Sequence, residues 1–254
     1  MAQNRGNGWH ITNLAIESMN QMLGIIEYGT LNGQLAIGKG IVNIPSNSSY
    51  NCASLTGSTS SLGNTSGRAT VTKNEINNVY TDYTDSDKVA ISYRGFENPW
   101  GNIWRMVGGL NIIGDGTNRG GVPHICQNFN YSSNASADNY NRLNFTIPSV
   151  QSWISAFGYD ENYDWVFLPI ECSNANSALP VGDSIWVMAE LNGINMGMIG
   201  GPWSFTDSCG PFYMAFDYEA GAHTRAQSAR LMFIPQKNST YTANINKWKA
   251  KFEG

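Results

Sequence analysis

The stretch from Ser92 to Ile112, S-Y-R-G-F-E-N-P-W-G-N-I-W-R-M-V-G-G-L-N-I, sets the tightest limits on how this chain can fold. Val89, Ile91 and Tyr93 alternate with Ala90, Ser92 and Arg94, the two-residue period of a strand with one apolar face. Gly95, Asn98-Pro99 and Gly101-Asn102 then force repeated turns, while Phe96, Trp100 and Trp104 still require burial. The segment reads as the nucleus of an irregular domain and not as a catalytic motif. Arg94 and Glu97 lie among these aromatics. Buried charges need partners, so a partly buried Arg94–Glu97 pair is expected to pin the turn.

Helical spacing is clearest near the N-terminus. Ile11, Leu14, Ala15, Met19, Met22, Leu23 and Ile26 recur on one face up to Tyr28, with Thr12 or Asn13 as cap and Gly29 as the stop. That face is expected to pack on the core. Thr72-Lys73-Asn74-Glu75 is a capping box flanked by Val71 and Ile76, so a short second helix is expected to run to about Tyr80.

Between these elements the chain is polar and glycine-rich. Charged residues are 13% of the whole against a usual ~25%, and 27 of 254 residues are glycine, which fits a neutral, loop-rich fold. Residues 43–69 and 114–149 read as long polar loops, and residues 1–10 as a docking arm or a loose end. Ser149 to Phe157 reads as a helical turn, Trp165 to Pro169 and Ser184 to Ala189 as strands, and Met196 to Trp203 as an irregular crossing. In the last informative stretch Phe212, Met214 and Phe216 face a core, and residues 229–233 return as a closing strand.

Several function classes lose support here. A net charge of −4 gives no reason to expect nucleic acid. No apolar run approaches a membrane span, and the N-terminus shows no signal-peptide pattern, so synthesis in a reducing cytoplasm is expected. Cys52, Cys126, Cys172 and Cys209 are too widely spaced for a zinc site and read as mostly buried thiols. His10, His124 and His223 form no metal pair and no visible triad, so the chain is expected not to be an enzyme. Asp82, Asp85 and Asp87 share one loop. Carboxylates so close can chelate calcium, but they lack the EF-hand spacing and read first as solvated turn acids.

G-N-I-W-R-M-V-G-G, from Gly101 to Gly109, resembles the G-N-V-W-E-W-V signature of the formylglycine-generating-enzyme type of C-type-lectin-like domain. Arg105-Met106 departs from it, standing where that family carries an acidic residue and a tryptophan. Tyr93 to Trp100 resembles the lead-in of phage-borne members. Gly210 to Phe233 resembles the ligand-facing segment found in phage virion adhesins and in retroelement-diversified variable proteins. The resemblance implies a single α+β domain over residues 1–254, with a short twisted antiparallel sheet, two helices and long loops. Tyr93, Arg94, Glu97, Trp100 and Trp104 are then its structural residues.

By the same resemblance the chain would be a phage virion protein, a tail or head fibre or adhesin module that assembles as a homo-oligomer, preferably a trimer. Its partners would be a host-surface ligand and other virion proteins. The expected binding face is Tyr213, Asp217, Tyr218, Glu219, His223, Arg225 and Gln227, where tyrosines give broad contact beside amides and charges, and the expected ligand is a glycan. A structural or capsid-decoration protein with no receptor role is the alternative. An enzyme ranks third. The formylglycine-generating chemistry uses two cysteines where only Cys209 stands here, and a glycosidase would draw on Asp207, Asp217 and Glu219.

Overall fold

The computed structural model describes residues 2–43, 53–69, 89–117, 120–133, 139–174, 180–187, 191–205, 207–219, 221, 223–224 and 226–235. The expected helix at 72–80 and the Asp82, Asp85 and Asp87 loop lie outside them. The helices are α1 (Leu14–Tyr28) and α2 (Gly33–Ala36). The first strands are β1 (Trp9–Ile11), β2 (Gly67–Ala69), β3 (Ala90–Tyr93), β4 (Phe96–Glu97), β5 (Trp104–Asp115), β6 (Gly121–Ile125) and β7 (Asn141–Arg142). They are followed by β8 (Gln151–Phe157), β9 (Pro169–Ser173), β10 (Ser184–Trp186), β11 (Asn192–Ile199), β12 (Met214–Tyr218), β13 (Gln227–Ala229) and β14 (Leu231–Phe233).

The chain divides into two compact units, Met1–Ile11 with Arg230–Gly254, and Thr12–Ala229. In the first, β1 pairs antiparallel with β14, setting Trp9 opposite Phe233 with ring centroids 5.3 Å apart. Arg5 lies over the Trp9 ring at 4.9 Å. The expected closing strand is therefore two strands: β13 runs parallel to β5, and β14 belongs with β1.

In the second unit α1 is capped as its sequence dictates. Asn13 Oδ1 accepts the Ile16 N–H at 3.1 Å, and Gly29, at φ 66°, donates its N–H to the Ile25 carbonyl. The buried face is not the expected one. Leu14, Glu17, Ser18 and Gln21 are buried, whereas Met19 and Ile26 are 43% and 80% exposed. Specific partners account for this. The Glu17 carboxylate meets the Arg105 guanidinium at 2.9 Å, and Gln21 donates to the Pro211 carbonyl at 2.7 Å. A helix face that satisfies such groups in the interior can leave methionine outside.

Nine strands form one mixed sheet in the order β7-β6-β5-β11-β12-β10-β8-β9, with β13 also on β5. The α+β class holds with few helices, but the sheet is large rather than short. It is also not purely antiparallel, since β10–β12 and β13–β5 are parallel pairs. Residues 151–157 are strand β8 and not a helical turn, because both β10 and β9 hydrogen-bond to them. Trp165 to Leu168 precedes the strand instead of forming it. Pro169 opens edge strand β9, where its missing N–H costs least. The supposed crossing after Met196 is the end of the central strand β11. Gly197 is closely packed there: a Cβ would stand 2.7 Å from a Leu110 methyl. Within the stretch read as a loop from 114 to 149, Gly121–Ile125 pairs with β5 as β6.

The aromatic stretch folds as β3, β4 and β5. β3 is buried on both faces, so its polar positions are interior too. Arg94 pairs with Glu27 at 3.0 Å and not with Glu97, and it is half-exposed. Glu97 instead accepts the N–H groups of Gly57 and Thr59 at 3.0 and 2.9 Å. Proximity in sequence misled because Arg94 and Gly95, at φ 51° and 82°, are the two turn residues of the β3–β4 hairpin, whereas Glu97 lies on β4 opposite Ser92. Trp100 and Trp104 are both buried, in separate clusters. Trp100 packs with Ile37, Ile91 and Tyr93, and Trp104 with Val42, Met198, Cys209 and Tyr213. Between β11 and β5 the register shifts: the two steps from Met196 to Met198 face the five steps from Asn111 to Met106. Gly109, at φ 77°, lies in this bulge, and a Cβ there would stand 2.7 Å from the Cys126 carbonyl oxygen.

The sheet's two faces carry different cores. Ile154, Ile185, Met214 and Phe216 join the largest cluster; Ala215 and Met198 join that of Trp104 and Tyr213. At the approach to β12, fully buried Asp183 accepts the Phe212 N–H at 2.8 Å and the Gln34 amide at 3.2 Å. Burial outweighs those two hydrogen bonds and pushes its carboxyl up to about 8. The folded protein therefore holds a proton that the unfolded chain releases near its ordinary value of 3.8. Stability falls as pH rises through that window, and Asp217, raised to about 6, adds to the fall over its lower part. Urea denaturation midpoints should be lower at about pH 8 than at about pH 5, and Asp183→Asn should flatten the difference. An equal slope in the variant would show that Asp183 is ionised in the folded state.

Candidate ligand-binding site

The residues expected to bind ligand divide sharply in the structure. Tyr213 is fully buried and cannot meet a ligand. Its strand neighbourhood lies between β11 and β10 and is covered on both faces, so the alternate face expected to be free is a second core. Asp217 and Tyr218 are half-buried, Glu219 and His223 are exposed, and Gln227 is half-buried with its amide near the Met198 sulfur. Arg225 lies outside the described residues. Asp207, read as a possible glycosidase acid, is ion-paired with Lys39 at 3.1 Å.

A concave site lies elsewhere on the same side of the sheet, with a volume of about 450 Å³. Its walls are Trp153, Trp186, Phe205 and Ile185, and its polar lining is Gln151, Ser152, Asn174, Ser184, Ser204 and Ser208. Strand register builds it. Trp153 stands opposite Ser184 and Gln151 opposite Trp186 on the antiparallel pair β8–β10. Directly opposed residues share a face, so the four project together as a patch in which aromatic and polar groups alternate at the corners.

The indole of Trp186 is held from behind. Phe205 lies against it at 5.0 Å, and Phe205 is itself braced by Trp104 at 5.4 Å and Tyr213 at 5.9 Å. Asp217 accepts a hydrogen bond from Trp186, and burial chiefly holds the Asp217 carboxyl up at about 6. Ser152 Oγ donates to the Ser173 carbonyl at 2.6 Å and contacts Asn174 Oδ1 at 3.3 Å, which sets the amide of Asn174 at the rim. Two residues of the expected face thus serve this pocket indirectly, Asp217 through Trp186 and Tyr213 through Phe205.

Sequence reasoning missed Trp153, Trp186 and Phe205. A helical turn over Ser149 to Phe157 would set Val150, Trp153 and Ile154 on one side. The two-residue period of β8 separates the last two: Ile154 is fully buried and Trp153 is half-buried. Among the described residues no group of three or more His, Cys, Asp or Glu side chains is placed to hold a metal ion. Comparison with protein-family models and with curated proteins returns no match.

Proposed function

We propose that this chain is a recognition module of a phage virion, a fibre or adhesin module that binds a host-surface glycan in the pocket between Trp153 and Trp186. The observation that carries the ligand class is the pocket's make-up: two half-buried indoles in its lining, beside amides and hydroxyls. Sugars offer an apolar ring face edged with hydroxyls, and this lining meets both needs. The volume of about 450 Å³ suits a small ligand. The virion setting and a C-type-lectin-like domain of the formylglycine-generating-enzyme type rest on the resemblance of residues 93–109 and 210–233. A structural virion protein is the second reading, favoured by the exposed Met19 and Ile26 on α1, which suit contact with another protein.

Adsorption separates the two. Purified protein should compete with virions that carry it for binding to host cells, and Trp186→Ala should abolish the competition while leaving the fold intact by near-ultraviolet circular dichroism. Wild-type protein that neither binds cells nor competes would remove the recognition role. Virions that lose the protein when Met19 and Ile26 become serine would favour the structural one.

A further inference from the structure

We infer that the pocket takes a neutral pyranose chain, stacked on Trp153 and Trp186 together, and rejects acidic sugars. This rests on the glycan reading above and narrows it to a ligand class.

The first ground is the spacing of the indoles. Trp153 pairs with Ser184 and Trp186 with Gln151, so the tryptophans are diagonal neighbours on one sheet face. Diagonal positions lie roughly 7–8 Å apart, a separation that aromatic side chains still bridge, so the two indoles are neighbouring platforms that together offer one extended apolar surface. Gln151 and Ser184 fill the other two corners with an amide and a hydroxyl. A ligand that satisfies all four corners has repeated apolar faces with hydroxyls between them, which describes linked pyranose rings. An isolated apolar molecule would leave the amide and hydroxyl unmatched, at a desolvation cost.

The second ground is charge. The ten lining residues include no Lys, Arg, Asp or Glu. Around them, the Asp217 carboxyl is hydrogen-bonded to Trp186, and Asp207, next to Ser208 in the chain, is engaged with Lys39 at 3.1 Å. A uronic or sialic acid would bring a carboxylate to a site with no cation among the described residues that line it and a carboxyl behind one wall. Taking such a charge out of water without a partner is unfavourable. Rigidity favours the same ligand, because the packing of Phe205 fixes the Trp186 platform before binding.

A glycan array of neutral and acidic chains, followed by calorimetry on the full-length protein, tests this. Neutral oligosaccharides of two or more units should bind, and acidic chains of equal length at least tenfold more weakly. Trp153→Ala and Trp186→Ala should each weaken neutral binding at least tenfold, while Trp153→Phe and Trp186→Phe, which keep a stacking face, should lose less. Binding of acidic chains alone, still abolished by Trp186→Ala, would overturn the neutral assignment and leave the glycan pocket standing. Neutral binding that ignores Trp153→Ala would overturn the two-platform arrangement. Absence of binding across the array would overturn the glycan reading itself.

Discussion

Replacing Glu17 with alanine while Arg105 stays in place should cost about 3–5 kcal/mol of stability. Both groups are nearly sealed from water, Arg105 at 4% and Glu17 at 6% exposure, and their contact is 2.9 Å. Arg105 also donates to the Pro99 carbonyl and lies over the Phe96 ring at 4.9 Å, so its position is fixed from three sides. Its Nε has no hydrogen-bond partner among the described residues, so the remaining contacts offset most of the desolvation of the cation. Removing the carboxylate leaves a buried charge uncompensated. Exchanging both residues together, Glu17→Leu with Arg105→Met, removes the charge and the need at once. The double variant should therefore be more stable than Glu17→Ala. A loss below about 1 kcal/mol for Glu17→Ala in urea denaturation would mean that water reaches the pair.

That pair shows what was and was not legible in the sequence. A buried ion pair was expected in the right stretch, but with Arg94 and Glu97, which are neighbours in the chain. The real partners are 88 positions apart, and no local pattern connects them. Glu17 also reads as a solvent residue on an otherwise ordinary amphipathic helix. Local signals fared well where local physics decides: the Asn13 cap, the Gly29 stop and the burial of Trp100 and Trp104 all follow from nearby residues. Strand period failed at Tyr213. Alternation distinguishes two faces but not whether the second is wet, and β12 lies between strands with a core on each side. It failed again at β8, where a seven-residue run carries too few apolar residues to separate periods of 2 and 3.6.

Trp104→Ala should cost about 3–5 kcal/mol, the usual penalty for emptying a tryptophan-sized volume in a core. The ring is 7% exposed and touches Phe205 at 5.4 Å and Tyr213 at 5.3 Å. It also sits where β13 joins β5, with Ser228 donating to its carbonyl at 2.8 Å. The loss should be felt beyond stability. Phe205 braces Trp186, so a cavity behind Phe205 frees the pocket wall, and ligand affinity should fall in a variant that contacts no ligand. Trp104→Phe, which refills part of the volume, should recover some of both. A stability loss below about 1 kcal/mol would place Trp104 outside the core.

The pocket's rim has a different consequence, one for descent. Gln151, Asn174 and Ser204 are exposed at its mouth, while the indoles behind them are tied into strands and core. Exposed polar positions usually change stability little when substituted. A lineage can thus exchange the three rim side chains, and with them the partner it meets, without renegotiating the fold. Positions such as Gly120, where a Cβ would overlap the Ile147 carbonyl oxygen at 1.6 Å, grant no such freedom. Descendants of this chain should therefore diverge first at its mouth and last along the glycine-lined seams of its sheet.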